Sequence, residues 1–397
     1  MTASPHRAMP LLIALLVTIG PLSIDMYLPS IPAMADALST NEGSVQLSLM
    51  TFFIGLMLGQ LLYGPFSDKF GRKPMIYLGL SIFIMGSIAC AFSQNVSQLQ
   101  WIRFVQGLGG SIGMVIAFAI IKDLYHGPMM GKMMSMVLAI LGLSSVVAPL
   151  IGDGLQHLGS WRMIFYFLAS YATLILILVI FFLPESSPKN SHDDFELKQT
   201  FKHYINIARD SKFNVFAMTL CIAQAGFFAY IAGSASVLIT EYQLSSTQYG
   251  LLFSLNAIAL IAAALLNPKL HEKFGPLKAY KIVNISFLIV MMSLFICLLI
   301  GLNHLVVLCL GLFITVGLLG FIMPTGSQLS LMHQRNAGTA SALLGSMQFA
   351  FGAIVSALTG IFASYAGLGL ISIMLMCALI SALMCIFLFP RKLTEQH

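Results

Sequence analysis

The sequence predicts an all-α membrane protein with twelve transmembrane helices in two pseudo-symmetric six-helix bundles. The first observation is composition: 58% of the 397 residues are hydrophobic and only 9% are charged, whereas about a quarter of a soluble domain is charged. The second is that the apolar residues form long blocks, and the third is that a polar stretch divides these blocks into six and six. Charged residues this few cannot cover the surface of a large soluble protein, so the sequence excludes that class of protein.

Twelve blocks reach the length of about 20 apolar residues that a spanning helix needs. Helices are expected because lipid offers no hydrogen-bond partners to an open backbone. The predicted domains are an N-terminal bundle (1–183), a cytoplasmic linker (184–212) whose second part is expected to form an amphipathic helix, and a C-terminal bundle (213–397). The blocks cover approximately 9–31, 45–66, 74–92, 98–121, 133–155, 162–183, 213–239, 247–267, 278–301, 304–329, 337–362 and 366–389.

The basic residues predict the orientation. Of the 20 Lys and Arg, 18 fall in the terminal segments and gaps on the side of the N-terminus, and cytoplasmic loops are enriched in these residues. Both termini are therefore predicted to be cytoplasmic, in a bacterial inner membrane. The net charge of +6 lies in these short gaps and forms no basic face, so nucleic acid is not an expected partner.

A short echo links the two halves. The sequence DKFG at 68–71 follows the second block, and EKFG at 272–275 follows the eighth, 204 residues later. The matched positions indicate a duplicated unit. Repeated halves around a site near the bilayer midplane are typical of secondary transporters.

The gap after the second block reads GPFSDKFGRKP, from Gly64 to Pro74. Its glycines permit a tight turn, and its acid can accept hydrogen bonds from basic neighbours or from a helix N-terminus. This loop resembles the signature of the major facilitator superfamily between its second and third helices. The resemblance implies a latch that holds the cytoplasmic side closed, formed by Gly64, Asp68, Gly71, Arg72 and Lys73. The second-half copy has Pro276 opposite the arginine, which implies a weaker gate there.

The fourth block begins WIRFVQGLGGSIG, where Arg103, Gln106 and Gly107 share a helix face. One interpretation of the arginine is snorkelling toward the outer headgroups. The pattern also resembles the helix-four motif of the superfamily, whose arginine is implicated in proton transfer. The resemblance therefore favours a functional Arg103.

The fifth block ends GLSSVVAPLIGDGL, which partly matches the antiporter motif of the superfamily, G-x-x-x-G-P-x-x-G-G. Pro149 and Gly152 are present, while Ser144 and Ala148 replace the first two glycines. Asp153 replaces the last glycine. It is interpreted either as a solvated acid at the outer end of the helix or as a second titrating site.

Asp25 is the one acid well inside the first block, roughly 20 Å from its start. A charge at that depth costs about 2.5–3.5 kcal/mol, so the carboxyl group is expected to face a cavity and to resist ionisation. Pro29 cannot donate to the Asp25 carbonyl, and Pro32 is expected to free the Leu28 carbonyl in the same way. The alternative is a structural ion pair between Asp25 and Arg103.

The segment DMYLP, residues 25–29, resembles helix one of the Bcr/CflA drug-resistance transporters, which are drug:proton antiporters. With the motifs above, the resemblance covers nearly the whole chain and is strongest in the first half. It implies proton coupling at Asp25, Arg103 and Asp153. The second half carries no ionisable group well inside a block, so its softer polar and aromatic residues are expected to shape the substrate cavity. The predicted cavity residues are Tyr27, Gln224, Phe227, Tyr230, Asn256 and Gln348.

The sequence thus predicts a proton-coupled exporter of small amphipathic compounds. Alternatives within transport are a dedicated exporter of one metabolite (a siderophore, peptide or nucleoside) and a substrate:proton symporter. An intramembrane enzyme lacks support, because no metal constellation, serine–base pair or nucleotide loop is present in the sequence. The gate loop argues against a non-transporting receptor. No cofactor is predicted, and the expected partners are the substrate, protons and the lipid bilayer around a monomer.

Overall fold

The computed structural model describes residues 9–186, 197–334 and 337–389. Within these residues, twelve helical segments are long and apolar enough to cross a membrane, as the sequence predicts. Five basic residues that contribute to the predicted orientation lie outside the described residues: Arg7, Lys189, Arg335, Arg391 and Lys392.

Six spans form the first half of the molecule. Two of them are interrupted: the first span comprises α1, a 3₁₀ turn at Leu28–Ser30 and α2, and the fourth comprises α5 and α6. The fifth span, α7, begins six residues earlier than the predicted block. The helices are α1 (Met9–Asp25), α2 (Ile31–Ala37), α3 (Glu42–Phe70), α4 (Arg72–Ala91), α5 (Val96–Gly110), α6 (Ile112–Leu124), α7 (Gly127–Leu158) and α8 (Arg162–Phe182).

The second half follows a short helix within the predicted linker, α9 (Leu197–Ala208). Its seventh span continues beyond α10 as a π-helix at Ser236–Glu241, and a 3₁₀ turn at Ala363–Tyr365 precedes the last helix. The helices are α10 (Ser211–Ala235), α11 (Ser246–Phe274), α12 (Pro276–Leu299), α13 (Leu305–Leu331), α14 (Ala337–Ile361) and α15 (Ala366–Phe387).

The sequence echo corresponds to a repeated structure. Helices α3 and α11 are both 29 residues long, and both ends are offset by 204 residues. Each helix ends at a glycine with positive φ, 96° at Gly71 and 72° at Gly275, a conformation that residues with a Cβ adopt at a cost. The next helix begins at once, so each half contains the same tight helical corner.

Two opposite ends of the bundle can be named from these connections. The Gly71 end carries the α3–α4 corner, and the Asn41 end carries the start of α3. At the Asn41 end the halves touch directly: Thr240 donates to the Glu42 carboxylate over 2.6 Å, and Gln46 donates to Ser236 over 2.7 Å. A Cβ on Gly43 would overlap the carbonyl oxygen of Gly360, so only glycine permits this approach of α3 and α14.

Large apolar side chains cover the outside of the bundle. Trp101, Phe181 and Leu265 are among the most exposed large apolar residues of the described structure. In water, such a surface would drive association. In a bilayer it is the surface that contacts lipid, which agrees with the twelve spans.

Candidate functional site

The first span breaks at its buried acid. α1 ends at Asp25, which is 4% exposed, and the chain passes through Met26 and Tyr27 before the 3₁₀ turn. Pro29 lies in this turn and cannot supply the N–H that would continue α1 past the Asp25 carbonyl. The break that the prolines predict is therefore present, with a carboxyl group beside it.

The prediction for Pro32 is wrong. The Leu28 carbonyl is not free, because the backbone N–H of Ile31 donates to it and closes the 3₁₀ turn. A 3₁₀ bond joins residues three apart and does not need the nitrogen of residue 32. The polar notch is thus confined to the end of α1.

Side chains from both halves surround Asp25. The hydroxyl group of Ser145 on α7 lies close to its carboxyl group. From the second half, the hydroxyl groups of Tyr230 on α10 and Tyr249 on α11 lie close enough to interact with it electrostatically. Tyr249 is a residue that the sequence motifs do not single out. Asp25 therefore lies where the two halves meet.

Arg103 is fully buried in an aromatic cage, which contradicts the snorkelling alternative. Its guanidinium carbon lies 4.1 Å from the ring centroid of Phe52 and 4.9 Å from that of Tyr27. It donates to the Gln106 side chain over 2.7 Å and to the Ser23 carbonyl over 3.1 Å. Cation–π contacts and these hydrogen bonds replace the water that the charge has lost.

Asp25 and Arg103 form no ion pair in the described structure, so the structural-pair alternative is wrong. The arginine instead reaches the backbone of Ser23, two residues before the acid. Gln106 extends the network by donating to Ser87 over 2.8 Å. Gly107 packs with its Cα against the backbone of Phe52, which brings α3 and α5 close enough to form the cage.

The second half contributes an aromatic wall. The ring of Tyr230 stacks 5.4 Å from Phe253 and 6.2 Å from Phe227, and its hydroxyl accepts from Asn256 over 2.8 Å. Gln224 is buried on the same helix. Two predicted cavity residues lie differently: Gln348 is half-buried on α14, and Tyr27 packs against Arg103. A role in a substrate cavity stays a prediction for all six residues.

The antiporter-like segment forms a buried stripe of small residues along α7. Ser144, Ala148, Pro149 and Gly152 all lie on it. A Cβ on Gly152 would overlap the Met26 carbonyl oxygen, so the stripe packs against the break in the first span. Ser144 donates to the Leu141 carbonyl of its own helix. Small side chains thus allow α7 to approach α1.

The interpretation of Asp153 as a solvated acid is wrong. The residue is 6% exposed, and its carboxylate accepts from Thr247 of α11 over 2.7 Å. His157 lies 3.4 Å from the other carboxylate oxygen. The sequence indicated a helix end but could not indicate that α11 covers it. Asp153 therefore joins the two halves at the Asn41 end.

At the Gly71 end, Arg72 ties the corner together. It pairs with Asp68 at 2.5 Å and with Asp123 at 2.9 Å. The backbone N–H groups of Arg72 and Lys73 donate to the two oxygens of Glu185 over 2.9 and 3.1 Å. A carboxylate at a helix N-terminus is favourable because the free N–H groups and the helix dipole point at it. Gly64 contributes its carbonyl, which accepts from Ser67.

Asp123 and Glu185 are partners that the sequence motif did not reveal. Asp123 lies at the end of α6, and Glu185 lies just after α8. The available signal was the predicted topology, which places the ends of the fourth and sixth spans beside the corner. The side-chain partners of Arg72, Asp68 and Asp123, belong to the first half, and Glu185 lies at the start of the linker directly after α8; Arg72 therefore braces one bundle.

Comparisons with known proteins agree with this architecture. A family model described as Major Facilitator Superfamily matches residues 13–357. The uncharacterized MFS-type transporter YdgK of Bacillus subtilis is 31% identical over 369 residues, 91% of this chain and 90% of its own length. The bicyclomycin resistance protein homolog of Haemophilus influenzae is 29% identical over 394 residues, 97% of each chain. The crystal structure of a D-xylose-proton symporter superposes with a TM-score of 0.77 at 17% identity, covering 98% and 99% of the two chains.

Proposed function

Because the chain belongs to the Major Facilitator Superfamily, and is thus a multi-pass transporter of the bacterial inner membrane, we propose that it exports small amphipathic compounds in exchange for protons. The name of the Haemophilus influenzae relative, a bicyclomycin resistance protein homolog, supports drug export over uptake. The two halves would rock about the central site and expose it to each side in turn. The Gly71 end would face the cytoplasm.

The observation that carries this proposal is the placement of Asp25. A buried acid beside a helix break, with a hydroxyl group from α7 and two tyrosines from the opposite half around it, has the means to bind a proton. Intramembrane acids at bundle interiors commonly belong to proton relays or substrate paths. Since both halves approach Asp25, its protonation can respond to their relative position.

The aromatic wall of the second half suits a cationic or amphipathic substrate. Tyr230, Phe227 and Phe253 form one stacked cluster, in which Phe227 is only half-buried; aromatic rings attract cations at a free face and pack apolar groups. An ionised Asp25 would neutralise the cation, whereas protonation would remove that attraction. Substrate and proton would therefore compete for one site, and binding of one would release the other by linkage.

The test is proton release in weak buffer. Adding a cationic substrate, identified by susceptibility screening in an efflux-deficient host, to detergent-solubilised protein should acidify the solution. Affinity should fall as pH is lowered, because protonation discharges Asp25. Asp25→Asn should abolish both effects. Asp36→Asn, an exposed acid on α2, is the matched control and should preserve both effects.

Unchanged proton release in Asp25→Asn would move the coupling site elsewhere, with Asp153 the next candidate. Direction is tested separately in proteoliposomes. An antiporter accumulates substrate when the lumen is acidic, and a symporter accumulates it when the outside is acidic. Accumulation of a single metabolite only would favour the dedicated exporter.

Orientation has its own test. A reporter active only in the cytoplasm should be active when fused after His397 and silent when inserted near Asn95. The opposite pattern would overturn the proposed direction of the Gly71 end, since that direction rests on the distribution of Lys and Arg.

A further inference from the structure

A proline in α3 leaves one backbone carbonyl without its normal partner. In an α-helix the Leu61 carbonyl accepts from the N–H of residue 65, but residue 65 is Pro65, which has no N–H. Prolines within spanning helices are tolerated when neighbouring groups satisfy the freed carbonyl. The group that donates to the Leu61 carbonyl therefore identifies the element whose contact with α3 is made possible by Pro65.

The neighbour is Tyr204 on α9, the helix that connects the two halves. Its hydroxyl group donates to the Leu61 carbonyl over 3.3 Å, across 143 residues of sequence. Burial, with a contribution from Asp68, raises the pKa of Tyr204 to about 12, so the hydroxyl keeps its proton throughout the physiological range. The distance is longer than the usual 2.5–3.0 Å for this type of bond, so the contact is easily broken.

The rest of α9 is attached to the other half. It packs on α10 and α14, with Tyr204 and Ile207 buried. The Tyr204–Leu61 bond is thus a link between the second half and α3 of the first, near the Gly71 end. In the same structure the Asn41 end is held closed by Glu42, Thr240, Gln46 and Ser236.

We propose that Tyr204 is a positioning residue of the transport cycle, which supplies the hydrogen bond that Pro65 removes and so makes α9 a strap favouring the conformation closed at the Asn41 end. This inference rests on the rocking motion of the proposed function, but it does not depend on the identity of the substrate or on proton coupling. The bond is made in the conformation closed at the Asn41 end, and opening that end shifts α3 relative to α14, on which α9 packs, so the Leu61 carbonyl would leave the position at which Tyr204 reaches it.

The test is a double-mutant cycle between Tyr204 and Pro65. Spin labels at positions 94 and 303, both exposed at the Asn41 end and in different halves, report the separation of the halves in substrate-free, cysteine-free protein. Tyr204→Phe removes only the hydroxyl group and should lower the ratio of closed to open molecules about threefold, the average effect of one such bond in a membrane protein.

Pro65→Ala restores an N–H to position 65, which can satisfy the Leu61 carbonyl within α3. In that background Tyr204→Phe should have no further effect, because the hydroxyl is redundant. Tyr166→Phe, which removes a hydroxyl from a partly exposed ring on α8, is the control and should leave the ratio unchanged.

The proposal would be overturned if Tyr204→Phe changed the ratio of closed to open molecules equally in the wild-type and Pro65→Ala backgrounds. It would also be overturned if Tyr204→Phe left the ratio unchanged in the wild-type background. A general loss of packing predicts the first of these results, whereas the strap predicts an effect that Pro65→Ala removes. Because neither substrate nor a pH gradient is present, failure here would leave proton exchange untouched. Failure of proton release would likewise leave the strap intact.

Discussion

The first spans of the two halves occupy matching places but differ in the middle. By the offset of 204 residues, Asp25 corresponds to Ala229, Pro29 to Gly233 and Pro32 to Ser236. α1 ends at Asp25, whereas α10 runs through its equivalent without interruption to Ala235. The same fold thus holds a break beside an acidic residue in one half and a continuous helix in the other, because proline prevents the backbone bonds that glycine and serine allow.

The difference extends to the polar groups around these helices. In the first half, Arg103 and Asp25 are ionisable and buried, with partners from several helices. In the second, the pair formed by Tyr230 and Asn256 is neutral. An ionisable carboxyl group can bind and release a proton, whereas an amide group cannot. We expect substitutions in the first half to have the larger effects.

The largest effect is expected for Arg103→Met. The substitution removes the donor to the Gln106 side chain and the Ser23 carbonyl, and each buried acceptor left unpaired costs about 1–3 kcal/mol. Transport should be lost, and the thermal unfolding midpoint in detergent should fall well below that of the wild type. A midpoint equal to that of Tyr230→Phe would show that the two halves depend equally on their polar groups.

Asp68→Asn should have the next largest effect, reducing transport severalfold while expression and substrate binding stay near normal. It weakens the pair with Arg72, and a charge-assisted hydrogen bond is roughly twice as strong as a neutral one. Glu272→Gln is the matched control, since Pro276 replaces the arginine in the second half. Transport assays in proteoliposomes would compare them, and equal losses would mean that the arginine does not distinguish the two corners.

Glu185→Gln should produce a smaller change. It removes a negative charge from the N-terminus of α4, worth about 0.3–1 kcal/mol at an exposed site. The unfolding midpoint should fall slightly at low salt and approach that of the wild type as salt rises. A difference that did not shrink with salt would assign the effect of Glu185 to packing.

The smallest effect is expected for Tyr230→Phe, which keeps the stacked ring and removes the hydroxyl that accepts from Asn256. Hydrogen bonds between membrane helices average about 0.6 kcal/mol, so the unfolding midpoint should change little. Affinity for an aromatic cation should also be nearly unchanged, as measured by binding titration. A loss of more than about tenfold would mean that the hydroxyl contacts the substrate directly.

Hydropathy and spacing predicted the twelve spans and the repeat, because lipid requires long apolar helices whatever their packing. They also singled out Asp25 and Arg103 as polar residues inside apolar blocks, and both are buried, while their role in transport stays a prediction. They could not predict the cage, since Tyr27, Phe52 and Phe165 come from three separate spans. They failed at Asp153 for the same reason: Thr247, which lies 94 residues away, decides whether that acid contacts water.

The approach of Gly43 to Gly360 has a practical consequence for trapping this protein. Since a single Cβ at position 43 would collide with the opposing backbone, Gly43→Ala places a methyl-sized wedge between α3 and α14. The wedge acts in one direction only, because it penalises the closed arrangement and leaves the separated one untouched. One alanine would thus enrich the opposite state for structure determination, without a cross-linker, a nanobody or an inhibitor.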